Sequence, residues 1–280
     1  MVISEVVLAV AVELFMRRAG LSLASVLWYR SSTAVVMLAL FLRPRREEWT
    51  PRARGLALLR LLAGGLTYVG WFGAIGTLSA RVTAAVLLLD SLVLAYVRGK
   101  RRPYEKWTIS ILAAALVVFV LQGIREPGTV TNLHLGIFYL VLAIGARAAS
   151  YKIWEASQSK QEHIFWLIAP SLIGGALGGL FLGKMRIEPI SPEIGAMILL
   201  VSAIGLVGYF YMNEVIAMLG AFYTRVVELW QVPLLWGIHL FTDKARPDWI
   251  EGGASLLVCV AAALTYAAHR RNQPREEASS

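Results

Sequence analysis

Apolar residues in this chain come in long runs separated by short polar breaks, with neither strict alternation nor a single amphipathic stripe. Ten such runs can be drawn: Val2–Phe15, Leu21–Leu42, Gly55–Leu78, Val82–Val97, Trp107–Gly123, Leu133–Ile153, His163–Gly183, Ile194–Met218, Phe222–Phe241 and Trp249–Ala268. About 20 apolar residues in a helix cross the hydrocarbon layer of a bilayer. In lipid each backbone amide must be satisfied within its own segment, so these runs predict helices. Without period-two alternation, they do not predict a transmembrane barrel. The first run would rise only about 21 Å as a helix, and Glu5 and Glu13 interrupt it. It predicts a short, tilted or partly interfacial first span. No basic segment precedes it, which argues against a cleaved signal.

Composition agrees with that pattern. Of 280 residues, 58% are hydrophobic and 16% charged, with mean hydropathy +0.63. Soluble domains carry about 45–50% apolar residues and about a quarter charged. A soluble enzyme, a disulfide-rich secreted scaffold and a disordered chain are therefore excluded. Cys259 is the single cysteine, so no internal disulfide and no cysteine-rich metal cluster can form. The net charge of +9 is mostly a topology signal. With the N-terminus inside and ten spans, 15 of the 27 Lys and Arg fall in inside breaks, 8 in outside breaks and 4 within spans. That bias places both termini in the cytoplasm. Nucleic acid is not an expected partner; the lipid bilayer is.

The connection Ile124–Asn132 divides the chain into two five-span sets, residues 1–123 and 133–268, leaving 269–280 as a polar, disordered cytoplasmic tail. Five is odd, so the second set enters the membrane with the opposite orientation. Weak internal similarity supports the division. Gly65–Leu89 carries Trp71 and Phe72, a small-residue break near Ser79 and another apolar run; Gly205–Leu229 repeats that order with Tyr209–Tyr211 and a break at Leu219–Gly220. The expected fold class is an all-α integral membrane protein of about ten transmembrane helices in two inverted five-helix repeats.

Several local patterns extend this reading: Leu21-Ser22-Leu23 followed by Tyr29-Arg30, the reversal from Ala74 through Thr77-Leu78-Ser79-Ala80, and, in the second half, Tyr209–Tyr211, Gly220 and Val232-Pro233. In these features the chain resembles the drug/metabolite transporter superfamily, specifically its ten-helix EamA-like branch. It departs from the family pattern at Asp90-Ser91, where the family often has a proline, and at Arg98-Gly99-Lys100-Arg101 and Thr242-Asp243-Lys244. The resemblance implies a bacterial-type inner-membrane secondary transporter, an exporter or exchanger, for a small organic metabolite such as an amino acid.

Ionisable side chains within a bilayer are costly and need partners, water or an interface. Glu13, Arg30, Asp90, Arg147, Glu214, Arg225 and Glu228 are the candidates. Arg225 and Glu228 are three residues apart and share a helix face, which predicts a structural ion pair. Glu228 and Gln231 lie just before Pro233, which frees a backbone carbonyl one turn earlier and so predicts a polar break facing a cavity. Tyr211 and Glu214 form another three-residue pair. With Trp71 and Asp90 from the first half, the expected substrate-binding set is Trp71, Asp90, Tyr211, Glu214, Glu228 and Gln231. Gly174, Gly175, Gly178, Gly179 and Gly183 predict a close helix contact, internal packing in preference to dimerisation. His134, His163, His239 and His269 have no metal-ligand spacing, and no nucleotide or nucleophile motif occurs. The chain is thus expected not to be an enzyme and to need no cofactor. Two other classes stay open: a structural or assembly subunit with a membrane-complex partner, and a lipid-head-group flippase. The topology is testable by cysteine labelling in a background lacking Cys259. Positions 45 and 275 are expected to label from the cytoplasm and position 244 from outside; labelling of 45 and 244 on one face would defeat the ten-span assignment.

Overall fold

The computed structural model describes residues 1–42, 51–78, 80–98, 103–125, 131–158, 164–242 and 249–277. Among the described residues it is helical almost throughout and contains no strand. The helices are α1 (Val2–Glu13), α2 (Leu23–Phe41), α3 (Pro51–Leu78), α4 (Ala80–Val86), α5 (Leu88–Arg98), α6 (Pro103–Arg125), α7 (Leu133–Gln158), α8 (Ile164–Leu182), α9 (Pro192–Glu228), α10 (Gln231–Thr242) and α11 (Trp249–Glu277). Among the described residues, five stretches are long and apolar enough to cross a membrane: Leu23–Phe41, Ala53–Leu78, Leu133–Ser157, Ile164–Leu182 and Pro192–Ile238. Large apolar side chains such as Leu62 and Leu66 of α3, Val141 of α7 and Val207 of α9 point outward, while Arg30, Arg60, Asp90, Arg147, Arg225 and Glu228 are buried. Apolar outside and charged inside is the arrangement of a membrane protein, since soluble chains seldom expose such patches.

Breaks in the helices follow local chemistry. The α1 helix passes into a π-helical turn, Leu14–Arg18, before α2 starts on a Ser22 cap whose Oγ accepts from the Ser25 amide at 3.3 Å. Asn132 caps α7 by accepting from the Leu135 amide at 3.0 Å. Within α9 the path breaks at Gly220, whose φ of 77° is a left-handed conformation open to glycine. The helices that resume at Ala80 and at Ala221 are each met by a glutamate. Glu13 accepts from the Ala80 amide, at the start of α4, at 3.2 Å, and Glu155 accepts from the Ala221 amide at 2.9 Å. Anionic groups are favoured at such N-termini. Further interruptions follow at Leu87, between α4 and α5, and at Leu229–Trp230, between α9 and α10.

The centre of the bundle is α3 packed on α7 and α8, with α2 against α8 and α9. The glycine run of α8 is what lets these helices meet. At Gly174 an added Cβ would lie 2.1 Å from the Leu61 carbonyl oxygen and 3.0 Å from the Gly65 Cα. At Gly179 it would lie 2.7 Å from the Ala24 carbonyl oxygen. The segment between α8 and α9 is strapped to α2: the Glu188 carboxylate accepts from the Ser22 amide and the Ser25 hydroxyl, both at 3.2 Å, and the Tyr29 hydroxyl donates to the Glu188 carbonyl at 2.9 Å. The Ser22 amide, foremost, holds the Glu188 carboxyl below its ordinary pKa.

One expectation changes at the C-terminus. Residues 269–277 continue α11 instead of forming a disordered tail. Ala267, Ala268, Arg270 and Arg271 favour helix, so the turn already formed propagates. The breaks carrying Arg43, Arg45, Arg46, Lys100, Arg101, Arg102, Lys160, Lys244 and Arg246, together with Ser79 and most of the connection Ile124–Asn132, lie outside the described residues. Close packing at α8 predicts that Gly174→Ala lowers stability by roughly 1–3 kcal/mol through overpacking. Gly145→Ala, where an added Cβ meets nothing within 4 Å, should leave the protein as stable or more so. Thermal unfolding of both variants in detergent checks the contrast.

Candidate functional site

Four helices each bring a charge to one point in the interior. Glu5 interrupts the apolar sequence of α1 and turns inward. Asp90 follows the interruption at Leu87, in the first turn of α5. Arg147 and Tyr151 of α7 are four residues apart and share a face, as do Arg225 and Glu228 of α9 at a spacing of three. Arg147 Nη2 donates to Glu5 Oε2 at 2.6 Å and to Glu228 Oε2 at 3.2 Å, and its Nε lies 3.4 Å from Asp90 Oδ2. Arg225 Nε donates to Asp90 Oδ1 at 2.9 Å, and its Nη1 pairs with Glu228 Oε2. The Tyr151 hydroxyl donates to the other Glu228 oxygen, Oε1. Arg225 Nη2 also reaches the Leu87 carbonyl at 3.5 Å, so the break between α4 and α5 contributes an acceptor. The Arg147 guanidinium sits 5.3 Å from the centre of the Trp71 ring.

Among the described residues, two cavities adjoin this network. One lies between α1, α2, α3 and α9 and is lined by Ser4, Glu5, Arg30, Trp71, Gly205 and Tyr209, among others. The second lies between α1, α3, α7, α8 and α9, and its walls include Glu5, Arg60, Tyr68, Trp71, Arg147, Tyr151, Trp154 and Tyr209. Glu5, Trp71, Tyr209 and Met212 belong to both. The Tyr68 and Tyr209 hydroxyls are hydrogen-bonded to each other across the bundle. Tyr209 stacks on Trp154, with ring centres 5.7 Å apart, and the Trp154 indole donates to Asn213 Oδ1 at 2.9 Å. Arg60 lies 4.6 Å above the Trp154 ring and donates from Nε to the Leu167 carbonyl at 2.8 Å and from Nη1 to the Ser150 carbonyl at 3.1 Å. Arg30 lies 4.7 Å over the Tyr68 ring. These walls carry charges of both signs and several aromatic faces.

The sequence-derived candidates are placed as follows. Asp90 and Glu228 stand together in the network, and Arg225 pairs with both. Trp71 lines both cavities. Gln231 is buried with its Nε2 unpartnered, but lines neither cavity. The Leu229 carbonyl that Pro233 frees is taken by the Val232 amide at 3.1 Å, so it does not reach a cavity wall. Tyr211 and Glu214 lie on the exposed face of α9, Tyr211 at 55% exposure. The inward seam of that helix runs through Gly205, Gly208, Met212 and Ile216, and at 100° per residue positions 211 and 214 fall away from it. Tyr209, not Tyr211, is the cavity aromatic. Sequence reasoning left Glu5, Arg60, Tyr68, Tyr151 and Trp154 outside its binding set. For Glu5 and Arg60 the signal was present, a charge inside an apolar run.

No protein-family model matches this chain, and no curated protein matches it. Among solved proteins, a crystal structure matches with a TM-score of 0.55 and 18% identity, covering 96% of this chain and 97% of its own. At that identity the likeness concerns the fold alone, and it extends over nearly the whole chain.

The buried network predicts that charges cannot be removed singly. Glu228→Gln or Arg225→Met alone should cost roughly 3–5 kcal/mol, because each leaves an uncompensated partner. The double variant should lose less than the sum, with a coupling of roughly 0.5–3 kcal/mol. Additive losses in a double-mutant cycle of thermal or denaturant unfolding would reject the coupling.

Proposed function

We propose that this chain is a multi-pass secondary transporter of a small organic metabolite such as an amino acid, acting as an exporter or exchanger in a bacterial-type inner membrane. Its solute path runs through the two cavities that share Glu5, Trp71 and Tyr209. The observation carrying this reading is that two charge-bearing, aromatic cavities share Glu5, Trp71 and Tyr209, and that Tyr209 is hydrogen-bonded to Tyr68, joining helices from early and late in the chain. A path for a polar solute needs polar walls inside an apolar bundle, and a point at which those walls close.

The proposed architecture is ten spans in two inverted five-helix halves, with both termini cytoplasmic, as in the EamA-like branch of the drug/metabolite transporters. Correspondences at a near-constant offset support it. Tyr68 and Tyr209 contact one another; Ala80 and Ala221 each begin a helical stretch that follows a break; Glu13 and Glu155 cap those two starts. Arg30 approaches Gly205 as Ser171 approaches Gly64. Each restarted helix is again interrupted within about two turns, at Leu87 and at Leu229–Trp230.

Purified protein in liposomes should exchange a labelled amino acid in a saturable manner. Trp71→Leu, which removes a wall common to both cavities, should raise the half-saturating concentration roughly tenfold, equivalent to about 1.4 kcal/mol, while the variant still inserts. Constitutive co-purification with a larger complex, with no solute exchange, would overturn the transport reading in favour of an assembly subunit.

A further inference from the structure

We infer that Arg30 is a carboxylate-binding residue, and that the solute presents a monoanionic carboxylate to it in the cavity between α1, α2, α3 and α9. The assignment deepens the transport reading and rests on it only for the idea that the bound molecule is cargo.

Charge balance is the first argument. Among the described residues, the interior holds four arginines, Arg30, Arg60, Arg147 and Arg225, against three carboxylates, Glu5, Asp90 and Glu228. All three carboxylates are engaged by Arg147 and Arg225. Arg60 is met by the carbonyls of Leu167 and Ser150 and by the Ser150 hydroxyl. Arg30 remains. It is 1% exposed, lines the cavity, and has neither Nε nor Nη1 in a hydrogen bond. A buried guanidinium without an anion is a costly group, and a carboxylate relieves that cost through charge-assisted hydrogen bonds.

The surroundings hold Arg30 ready for such a ligand. Tyr68 lies under its plane, with Phe72 farther off at 5.9 Å. At Gly205 a Cβ would come 2.8 Å from Nη2, so glycine leaves the room in which the guanidinium lies against α9. Trp71 and Tyr209 supply apolar wall beside it. Arginine thus takes the carboxylate and the aromatic rings take the organic part.

Calorimetric titration of the full-length protein in nanodiscs tests this with three probes of one shape. Phenylacetate should bind; phenylacetamide, its neutral counterpart, and phenethylamine, its cationic one, should not. Arg30→Gln should weaken phenylacetate binding roughly thirtyfold or more, the change expected for losing one side of a buried charge pair. Its melting temperature without ligand should match or exceed that of the wild type, because an uncompensated charge has gone. Gly205→Ala retains Arg30 but crowds it, and should weaken phenylacetate binding as well, giving an independent reading if Arg30→Gln does not fold. Equal binding of phenylacetamide, no binding of phenylacetate to the wild type, or a Gly205→Ala variant that is folded and binds normally would overturn the assignment. A wild-type protein that binds phenylacetate but exchanges no solute in liposomes would defeat the transport reading and leave the anion site standing.

Discussion

Ionised groups in an apolar interior stay there only if other ionised groups hold them, and in this protein that requirement decides how the central helices lie. Arg147 touches carboxylates from α1, α5 and α9, and Arg225 ties α5 back to α9. None of these contacts is local in sequence except Arg225 with Glu228. The network therefore fixes distances between helices whose lipid-like surfaces would otherwise slide past one another, since apolar packing in lipid supplies no hydrophobic drive between them. It gives the bundle one register at its centre, while the glycines of α8 set how closely the flanking helices approach.

Helix interruptions serve that centre. Where α4 gives way to α5, Leu87 offers a carbonyl to Arg225 and Asp90 follows within the next turn. Where α9 gives way to α10, the turn at Leu229–Trp230 comes directly after Glu228. At both interruptions a carbonyl takes the amide three residues on, Asp90 for Leu87 and Val232 for Leu229, and the Leu87 carbonyl receives the Arg225 guanidinium as well. Polar backbone at depth is tolerated because protein surrounds it.

Much of this was legible in the sequence, and the limits are physical. Apolar runs located the helices because lipid compatibility is a property of each segment by itself. Asp90, Arg225 and Glu228 stood out because a charge in such a run needs a reason. Spacing then reached its limit. The separation of Tyr211 and Glu214 shows that they share a face of α9, but only packing against α1 and α2 reveals that Gly205, Gly208 and Met212 form the inward one. In the same way, Glu5 looked like a defect in a short helix until Arg147, 142 residues away, supplied its partner. Carbonyl acceptors for Arg60 leave no trace in composition or spacing.

The contact between Tyr68 and Tyr209 joins two chemically identical side chains, and either hydroxyl can be the donor. A bond between unlike partners has one sense, and tilting the surrounding helices strains it toward a single answer. A bond between like partners has two senses, and here the surroundings distinguish them: Tyr68 lies beneath the Arg30 guanidinium, while Tyr209 stacks on Trp154. The seam between α3 and α9 is therefore held by a contact that survives exchange of its donor, with the choice of donor left to the guanidinium on one side and the indole on the other.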